Sequence, residues 1–204
     1  MPSIYELKPA FQNLLRPLCS FLAKIGITAN QVTVSASVFS LFTGGLILYY
    51  HERFSQIFFI VPVVMFLRMA LNAIDGMLAR EFNMKSNLGA VLNELGDVIS
   101  DAALYLPFAV VFSDYESYLV ILIVIFSVIS EMTGVVSVQI GASRRYDGPM
   151  GKSDRAFVFG WLAFLMGLQV DVKKFSFYLL AGVLLLLVLT VINRARAALK
   201  EVVR

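Results

Sequence analysis

Between residues 71 and 101 the chain carries acidic and amide side chains at helical spacing, inside segments that are otherwise apolar. Asn72 and Asp75 lie three residues apart, so they share one face of a helix. A second polar face is formed at four-residue steps by Asn93, Asp97 and Asp101. Because a carboxylate is costly in a bilayer, such residues face a protein interior. On consecutive antiparallel helices, the two faces are expected to enclose a ring of side-chain oxygens.

A ring of oxygen ligands suits a hard divalent cation, Mg²⁺ or Mn²⁺. The chain has one cysteine, Cys19, and one histidine, His51, and both lie outside this stretch. A single cysteine excludes a disulfide framework and a cysteine metal site. The residue types therefore predict a cation site that is built from carboxylate and amide oxygens.

The elements that must position this ring are predicted to be membrane helices. The chain is 59% hydrophobic and 15% charged, with a mean hydropathy of +0.80, which is typical of an integral membrane protein. Its apolar runs are each near the ~20 residues that cross a hydrocarbon core. They cover residues 32–50, 57–78, 88–112, 118–140, 155–170 and 176–193. We therefore expect an all-α membrane protein with six transmembrane helices.

The segment before the first run has apolar residues near helical spacing, with lysine and arginine between them. This pattern predicts an N-terminal interfacial amphipathic helix over residues 1–28. A helix that packs on the cytoplasmic loops is the alternative. With a six-helix bundle over 32–193 and a cytoplasmic tail over 194–204, the chain is interpreted as one domain, residues 1–204.

Lysine and arginine are unevenly distributed between the two sides of the predicted bundle. Of the 17 Lys and Arg residues, 13 lie in the N-terminal segment, the second and fourth loops and the C-terminal tail. Because cationic loops stay on the cytoplasmic side, both termini and the loop between the two polar helices are predicted to be cytoplasmic. The oxygen ring would then lie near the cytoplasmic leaflet.

The polar residues resemble the signature of the CDP-alcohol phosphotransferases, in particular a bacterial branch with asparagine at two acidic positions. The family pattern is D-x-x-D-G-x-x-A-R, eight residues, then G-x-x-x-D-x-x-x-D. The chain has Asn72-x-x-Asp75-Gly76-x-x-Ala79-Arg80, eight residues, then Gly89-x-x-x-Asn93-x-x-x-Asp97. The resemblance extends over the whole chain, since the predicted number of spans also agrees.

The resemblance implies an enzyme that moves a phosphatidyl group from CDP-diacylglycerol to a polar alcohol and releases CMP. It implies that Asp97 is the general base for the acceptor hydroxyl. The implied ligands of Mg²⁺ or Mn²⁺ are Asp75, Asn72, Asn93 and Asp97, with Asp101 as a further candidate. The implied contacts to nucleotide or phosphate are Asn30, Gly76, Ala79, Arg80, Lys152 and Arg155. It also implies a homodimer in a bacterial inner membrane, with lipids and no nucleic acid as partners.

Two departures from the family pattern change the charge of the site. Asn72 and Asn93 stand where the pattern has acids, so the motif carries a formal charge of −2 instead of −4. Two neighbouring cations would then be poorly neutralised. Either one ion is weak or missing, or Glu94 and Asp101 supply the lost charge. The alternative for Asp101 is an ion pair with Arg68, which lies at the same depth of the antiparallel helix.

A second informative stretch, residues 143–155, places four cations among turn-forming residues. One interpretation is a loop that contacts anionic headgroups. The other is that Lys152 and Arg155 reach the site and bind a phosphate. Upstream, Thr28 or Asn30 is expected to cap the first span.

Two other function classes compete with the active transferase. A catalytically impaired homologue that binds CDP-lipid is favoured by the two missing carboxylates. A membrane transporter would use the buried charges for its substrate path. The clustering of these charges near one leaflet argues against transport.

Overall fold

The computed structural model describes residues 4–203, and their side chains from residue 9 onward. Residues 1–3 of the predicted amphipathic segment and Arg204 of the predicted tail lie outside the described residues. Within the described range the chain forms seven α-helices and no β-strand. They are α1 Ile4–Lys24, α2 Ala29–Tyr50, α3 Ile60–Glu81, α4 Asn87–Val111, α5 Asp114–Val136, α6 Lys152–Gly167 and α7 Lys173–Val202. The all-helical prediction is confirmed.

Over the same described range, four helical segments are long and apolar enough to cross a membrane. They are Ala29–Tyr50, Ser55–Glu81, Asp114–Ile140 and Ser176–Val202. The other two predicted runs also form helices. However, α4 contains Glu94, Asp97 and Asp101, and α6 has only 16 residues. The protein is thus an integral membrane protein, and α4 carries three acidic side chains.

Side-chain caps fix where α2 and α4 begin. The Thr28 hydroxyl accepts a hydrogen bond from the backbone N–H of Gln31, whose side chain accepts the Thr28 N–H in return. Thr28 is therefore the cap of the first long apolar helix, and Asn30 lies inside it. Ser86 caps α4 by accepting the N–H of Gly89 at 2.9 Å. Both caps lie at the end of the bundle that carries the motif.

Helix α2 packs against both α3 and α4 and so holds the two motif helices in place. Its crossing with α4 is very close at Gly44, where a methyl group would lie 2.2 Å from the carbonyl oxygen of Ala103. Away from the polar end, an apolar core fills the bundle. Tyr105 of α4 stacks on Phe159 of α6 with ring centroids 4.3 Å apart. This core joins α3 and α4, which carry the motif, to α6, which carries Lys152.

Candidate active site

A cleft of about 340 Å³ opens between α3 and α4, and α2 closes one side of it. The residues that line it come from three helices and from the loop between α3 and α4, and they include most of the motif. From α3 they are Asp75, Gly76, Ala79 and Arg80, from α4 Gly89 and Asn93, and from α2 Asn30 and Thr33. Asp75 of one predicted polar face and Asn93 of the other therefore meet in this cleft, whereas Asn72, Asp97 and Asp101 do not line it.

Asp75 is the buried carboxylate of this cleft, with 6% of its surface exposed. Thr33 of α2 donates a hydrogen bond of 2.7 Å to its Oδ2 atom. This contact fixes the carboxylate while it engages only one of the two oxygens. Thr33 is absent from the residues predicted for the site, because a threonine inside an apolar helix has no charge or spacing that marks it.

Arg80 lies over Gly76, one turn earlier on α3. A methyl group at Gly76 would come within 3.1 Å of the Arg80 Nη2 atom, so the glycine makes room for the guanidinium. Arg80 and Lys85 both line the cleft. Neither cation has an ion-pair partner among residues 9–203. The cleft therefore combines one buried carboxylate with two cations that are available to an anionic ligand.

Three side chains approach the same oxygen of Asp97, Oδ1, and two of them donate hydrogen bonds to it. Lys152, the first residue of α6, makes a direct ion pair with it. The Asn72 amide donates to it at 3.4 Å, and the Arg68 Nη2 atom lies 3.8 Å away. Asn72 and Asp97 come from the two motif helices, so this contact links the two predicted polar faces directly. The Asp97 side chain remains 24% exposed.

Asp101 lies one turn deeper than Asp97 and is paired with two arginines. Arg68 contacts its Oδ1 atom and Arg155 contacts its Oδ2 atom, each at 2.9 Å. The ion pair between Arg68 and Asp101, predicted as the alternative to a metal contact, is thus confirmed. With both oxygens held by guanidinium groups, the geometry does not support Asp101 as a metal ligand.

Arg155 is fully buried and lies below the cleft, not in it. Its Nη2 atom contacts both Asp101 at 2.9 Å and Glu131 of α5 at 3.2 Å. The predicted contact of Arg155 with a substrate phosphate is therefore not supported by the geometry. Arg155 lies three residues after Lys152 on the same face of α6. It is therefore one helical turn deeper in the bundle, where its side chain is buried.

Glu131 connects this pair to the far side of the bundle. Arg194 of α7 lies 3.3 Å from its Oε2 atom, and Arg144 of the α5–α6 loop lies 3.4 Å from the same atom. Arg144 also binds Glu94 of α4 through two contacts of 2.6 and 2.5 Å. The charges of this network, Glu131, Arg155 and Arg194, are thus paired, as the high cost of an uncompensated buried charge requires. The sequence pattern places Arg194 only among the cations of the predicted tail and gives no indication of this pairing.

The loop between α5 and α6 is tied to the C-terminal helix. Arg145 binds Asp147 through two contacts of 2.8 and 2.9 Å, and it reaches Glu201 at 2.6 Å. The hydrogen bonds from Arg145 hold the pKa of Asp147 below its usual value. These contacts fold the loop over the end of the bundle and bring Arg144 toward Glu94.

A second space, a groove of about 620 Å³, runs between α3 and α6. Its polar end is formed by Arg68, Asn72 and Lys152, beside Asp97. The rest of its wall is apolar and includes Pro62, Met65, Phe66, Phe157, Trp161 and Phe164. The groove therefore offers a hydrocarbon-lined path that ends at charged and amide groups.

The donor chemistry of the cleft fits one hard cation better than two. Asp75 supplies a carboxylate, and Asn93 lines the same cleft. Asn72 uses its amide nitrogen on Asp97, which leaves its oxygen for another contact. Among the described residues there is no group of three or more His, Cys, Asp or Glu side chains placed to hold a metal ion. Oxygen ligands for a single ion are present, whereas carboxylates to neutralise a second ion are not.

Comparison with known proteins assigns the class of the protein. The sequence model of the CDP-alcohol phosphatidyltransferase family matches residues 26–199. The chain therefore belongs to this family, and the protein is a membrane-bound phosphatidyltransferase. The predicted family is confirmed, and the branch with asparagine at two acidic positions stays a prediction.

Individual relatives agree with this assignment. The chain is 43% identical over 197 residues to the inner membrane protein YnbA of Escherichia coli (strain K12), a match that covers 97% of this chain and 96% of YnbA. Its fold is similar to that of the Mycobacterium tuberculosis phosphatidylinositol phosphate synthase (PgsA1). The structure of PgsA1 with manganese and citrate has a TM-score of 0.73 and 18% identity, and the match covers 91% of this chain and 88% of that one. For the structure with CDP-DAG bound, the TM-score is 0.71, the identity 21%, and the coverage 91% and 92%.

Proposed function

We propose that the protein transfers a phosphatidyl group from CDP-diacylglycerol to the hydroxyl of a polar alcohol and releases CMP. The acceptor oxygen forms a new bond to the lipid phosphorus, and the bond from that phosphorus to the CMP oxygen breaks. The observation that carries the proposal is the single cleft lined by the motif residues of both α3 and α4. Family membership and the CDP-DAG bound to the related fold of PgsA1 support it.

The cytidine diphosphate is proposed to occupy the cleft. Arg80 and Lys85 supply positive charge for its phosphates. Gly76, Ala79 and Gly89 leave the walls without large side chains, so a nucleotide can approach the helix backbones closely. Asn30 faces Gly89 across the cleft and donates to Ser86 at 3.4 Å, which places an amide where a base or ribose can be recognised.

The diacylglycerol chains are proposed to occupy the groove between α3 and α6. Its aromatic and aliphatic lining matches acyl chains, because burial of apolar surface is favourable. The polar end of the groove lies beside Asp97, so a lipid seated there has its phosphate next to the cleft. Lys152 and Arg68 stand at that end and can contact the phosphate.

Asp97 is proposed to accept the proton of the acceptor hydroxyl as the new bond forms. Its carboxylate is partly exposed and borders the polar end of the groove. Asp75 is proposed to bind a divalent cation, Mg²⁺ or Mn²⁺, with the amide oxygens of Asn72 and Asn93. When bound, this ion offsets negative charge on the diphosphate and on the leaving CMP. Manganese is present in the structure of PgsA1.

Asp101 and Arg155 are proposed to position the site without touching substrate. Their ion pairs join α4, α5 and α6 directly below Asp97. Arg68 connects this lower layer of ion pairs to Asp97, since it binds Asp101 and approaches Asp97. A rigid lower layer keeps the carboxylate of Asp97 at a fixed distance from the groove.

In the membrane, helices α2 to α7 are proposed as six spans of one domain, with α1 lying in the interface. The distribution of Lys and Arg favours cytoplasmic termini and an active site that faces the cytoplasm of a bacterial cell. The exposed apolar side chains around the bundle, such as Phe42, Leu106 and Leu185, fit contact with lipid or with a second copy in a homodimer.

The proposal is tested with the purified full-length chain in detergent, supplied with radiolabelled CDP-diacylglycerol and Mg²⁺ or Mn²⁺. Glycerol 3-phosphate, serine, inositol and inositol phosphate serve as acceptors. We expect CMP release that depends on one acceptor and yields a labelled phospholipid. Saturable binding of CDP-diacylglycerol without CMP release for any acceptor would contradict the transferase activity. It would support the catalytically impaired lipid-binding homologue, which the contact of Lys152 with Asp97 favours.

A further inference from the structure

The negative charge of Asp97 is compensated by cationic side chains of the protein, which approach its Oδ1 atom near the groove. Lys152 pairs with Oδ1, Asn72 donates to it, and Arg68 approaches it at 3.8 Å. These donors come from α3 and α6, which lie on either side of the groove. A carboxylate that binds a divalent cation offers its oxygens to that ion, whereas this oxygen is already in contact with an ammonium group.

Arg68 has N–H donors without hydrogen-bond partners at the polar end of the groove. Its Nη2 atom is buried and has no hydrogen-bond partner in the described part of the chain. The residue is 4% exposed, and that exposed part lines the groove. A buried N–H without a partner is costly, so an oxygen of a ligand at this position would satisfy it. The polar end of the groove is thus built to receive an anionic oxygen between Arg68 and Lys152.

The charge of the motif agrees with this arrangement. Asp75 and Asp97 are its only carboxylates, since Asn72 and Asn93 occupy the other two positions. Two divalent cations would bring four positive charges to a site with two negative ones, and Lys152 would add a fifth. With one divalent cation at Asp75 and the ammonium at Asp97, the excess positive charge of the site before a ligand binds is smaller.

We propose that the ammonium of Lys152, assisted by Arg68, replaces a second divalent cation, so that each chain binds one metal ion. Lys152 then holds a phosphate oxygen of the lipid beside Asp97. This inference rests on the proposed function only in taking the cleft as a diphosphate site. If the chain binds one ion but fails to release CMP, the reaction is lost and the inference stands.

The test counts Mn²⁺ ions bound by the full-length protein, by calorimetry and by the electron paramagnetic resonance signal of free Mn²⁺. CDP is present as the probe, so no turnover is involved. We expect one Mn²⁺ per chain for the wild type and for Lys152→Arg, which keeps the charge. We expect two for the combined variant Asn72→Asp, Asn93→Asp and Lys152→Met, in which the carboxylates return and the ammonium is removed. A wild type that binds two ions or none, or a combined variant that stays at one, would overturn the proposal.

Lys152→Met alone provides a second measurement that does not depend on the combined variant. Removal of one positive charge near the ion is expected to lower the Kd for Mn²⁺ about tenfold. Lys152→Arg is expected to leave the Kd within about twofold of the wild type. Equal Kd values for the wild type and Lys152→Met would contradict the electrostatic role of Lys152. The melting temperature of each variant in detergent shows whether the fold is kept.

Discussion

Arg155 lies 2.9 Å from Asp101 in a layer of the bundle where both side chains are buried. Each residue of this pair lies only one helical turn along its helix from a residue with a different role. Lys152 and Asp97, one turn nearer the surface, border the groove, whereas Arg155 and Asp101 connect helices. The site is therefore layered, with groups that border the groove above and buried ion pairs below.

Loss of the lower layer is expected to destabilise the fold. Asp101→Asn leaves the guanidinium groups of Arg68 and Arg155 without their shared carboxylate, and breaking a buried pair costs about 3–5 kcal/mol. Thermal unfolding in detergent should show a clearly lower melting temperature. Asp171→Asn is the matched control, since Asp171 is exposed and makes only a 3.6 Å pair with Lys174. Equal melting temperatures for the two variants would remove the structural role of Asp101.

The hydroxyl of Thr33 is expected to matter for turnover. Thr33→Val keeps the shape of the side chain but removes the 2.7 Å hydrogen bond to Asp75. A hydrogen bond to a charged group contributes about 1.5–3 kcal/mol, so kcat/KM for CDP-diacylglycerol should fall by about tenfold or more. Thr33→Ser keeps the donor and should retain most of the activity. If valine and serine behave alike, the hydroxyl does not position Asp75.

Gly76 and Gly182 form a matched pair of helical glycines. A methyl group at Gly76 approaches Arg80 Nη2 at 3.1 Å, whereas one at Gly182 meets nothing within 4 Å. Gly76→Ala should displace the guanidinium and raise KM for the CDP-lipid several-fold, with little change in melting temperature. Gly182→Ala should leave KM unchanged. An unchanged KM in both variants would show that the position of Arg80 over Gly76 is not used in binding.

Adjacent glycines on α2 test the helix packing that holds the site. At Gly44 an added methyl group would lie 2.2 Å from a backbone oxygen of α4, but at Gly45 it meets open space. Gly44→Ala must push the helices apart and should cost about 1–3 kcal/mol or more. Gly45→Ala should be neutral or slightly stabilising, because alanine favours helix. Both are measured by thermal unfolding, and a neutral Gly44→Ala would contradict the close crossing of α2 and α4.

Helical spacing is sufficient to predict the two polar faces and the level at which Arg68 meets Asp101. Both follow from the 3.6-residue period and the antiparallel order of α3 and α4. The partners of Glu131 are not predictable in this way. They come from α6, α7 and a loop, and their meeting depends on how the whole bundle packs. Arg155 shows the same limit, because its place in a cationic loop sequence gives no sign that its side chain points inward.

Phosphatidyl transfer by this protein is proposed to require the cleft and Asp97 together. The most direct test is CMP release from CDP-diacylglycerol by Asp97→Asn, with Asp171→Asn as the control for an amide change far from the cleft. A lost general base lowers the rate by about 10²–10⁴-fold. We expect a loss of this size in Asp97→Asn, with wild-type melting behaviour and a fully active control. Wild-type CMP release in Asp97→Asn would contradict the role of Asp97 and with it the proposed mechanism.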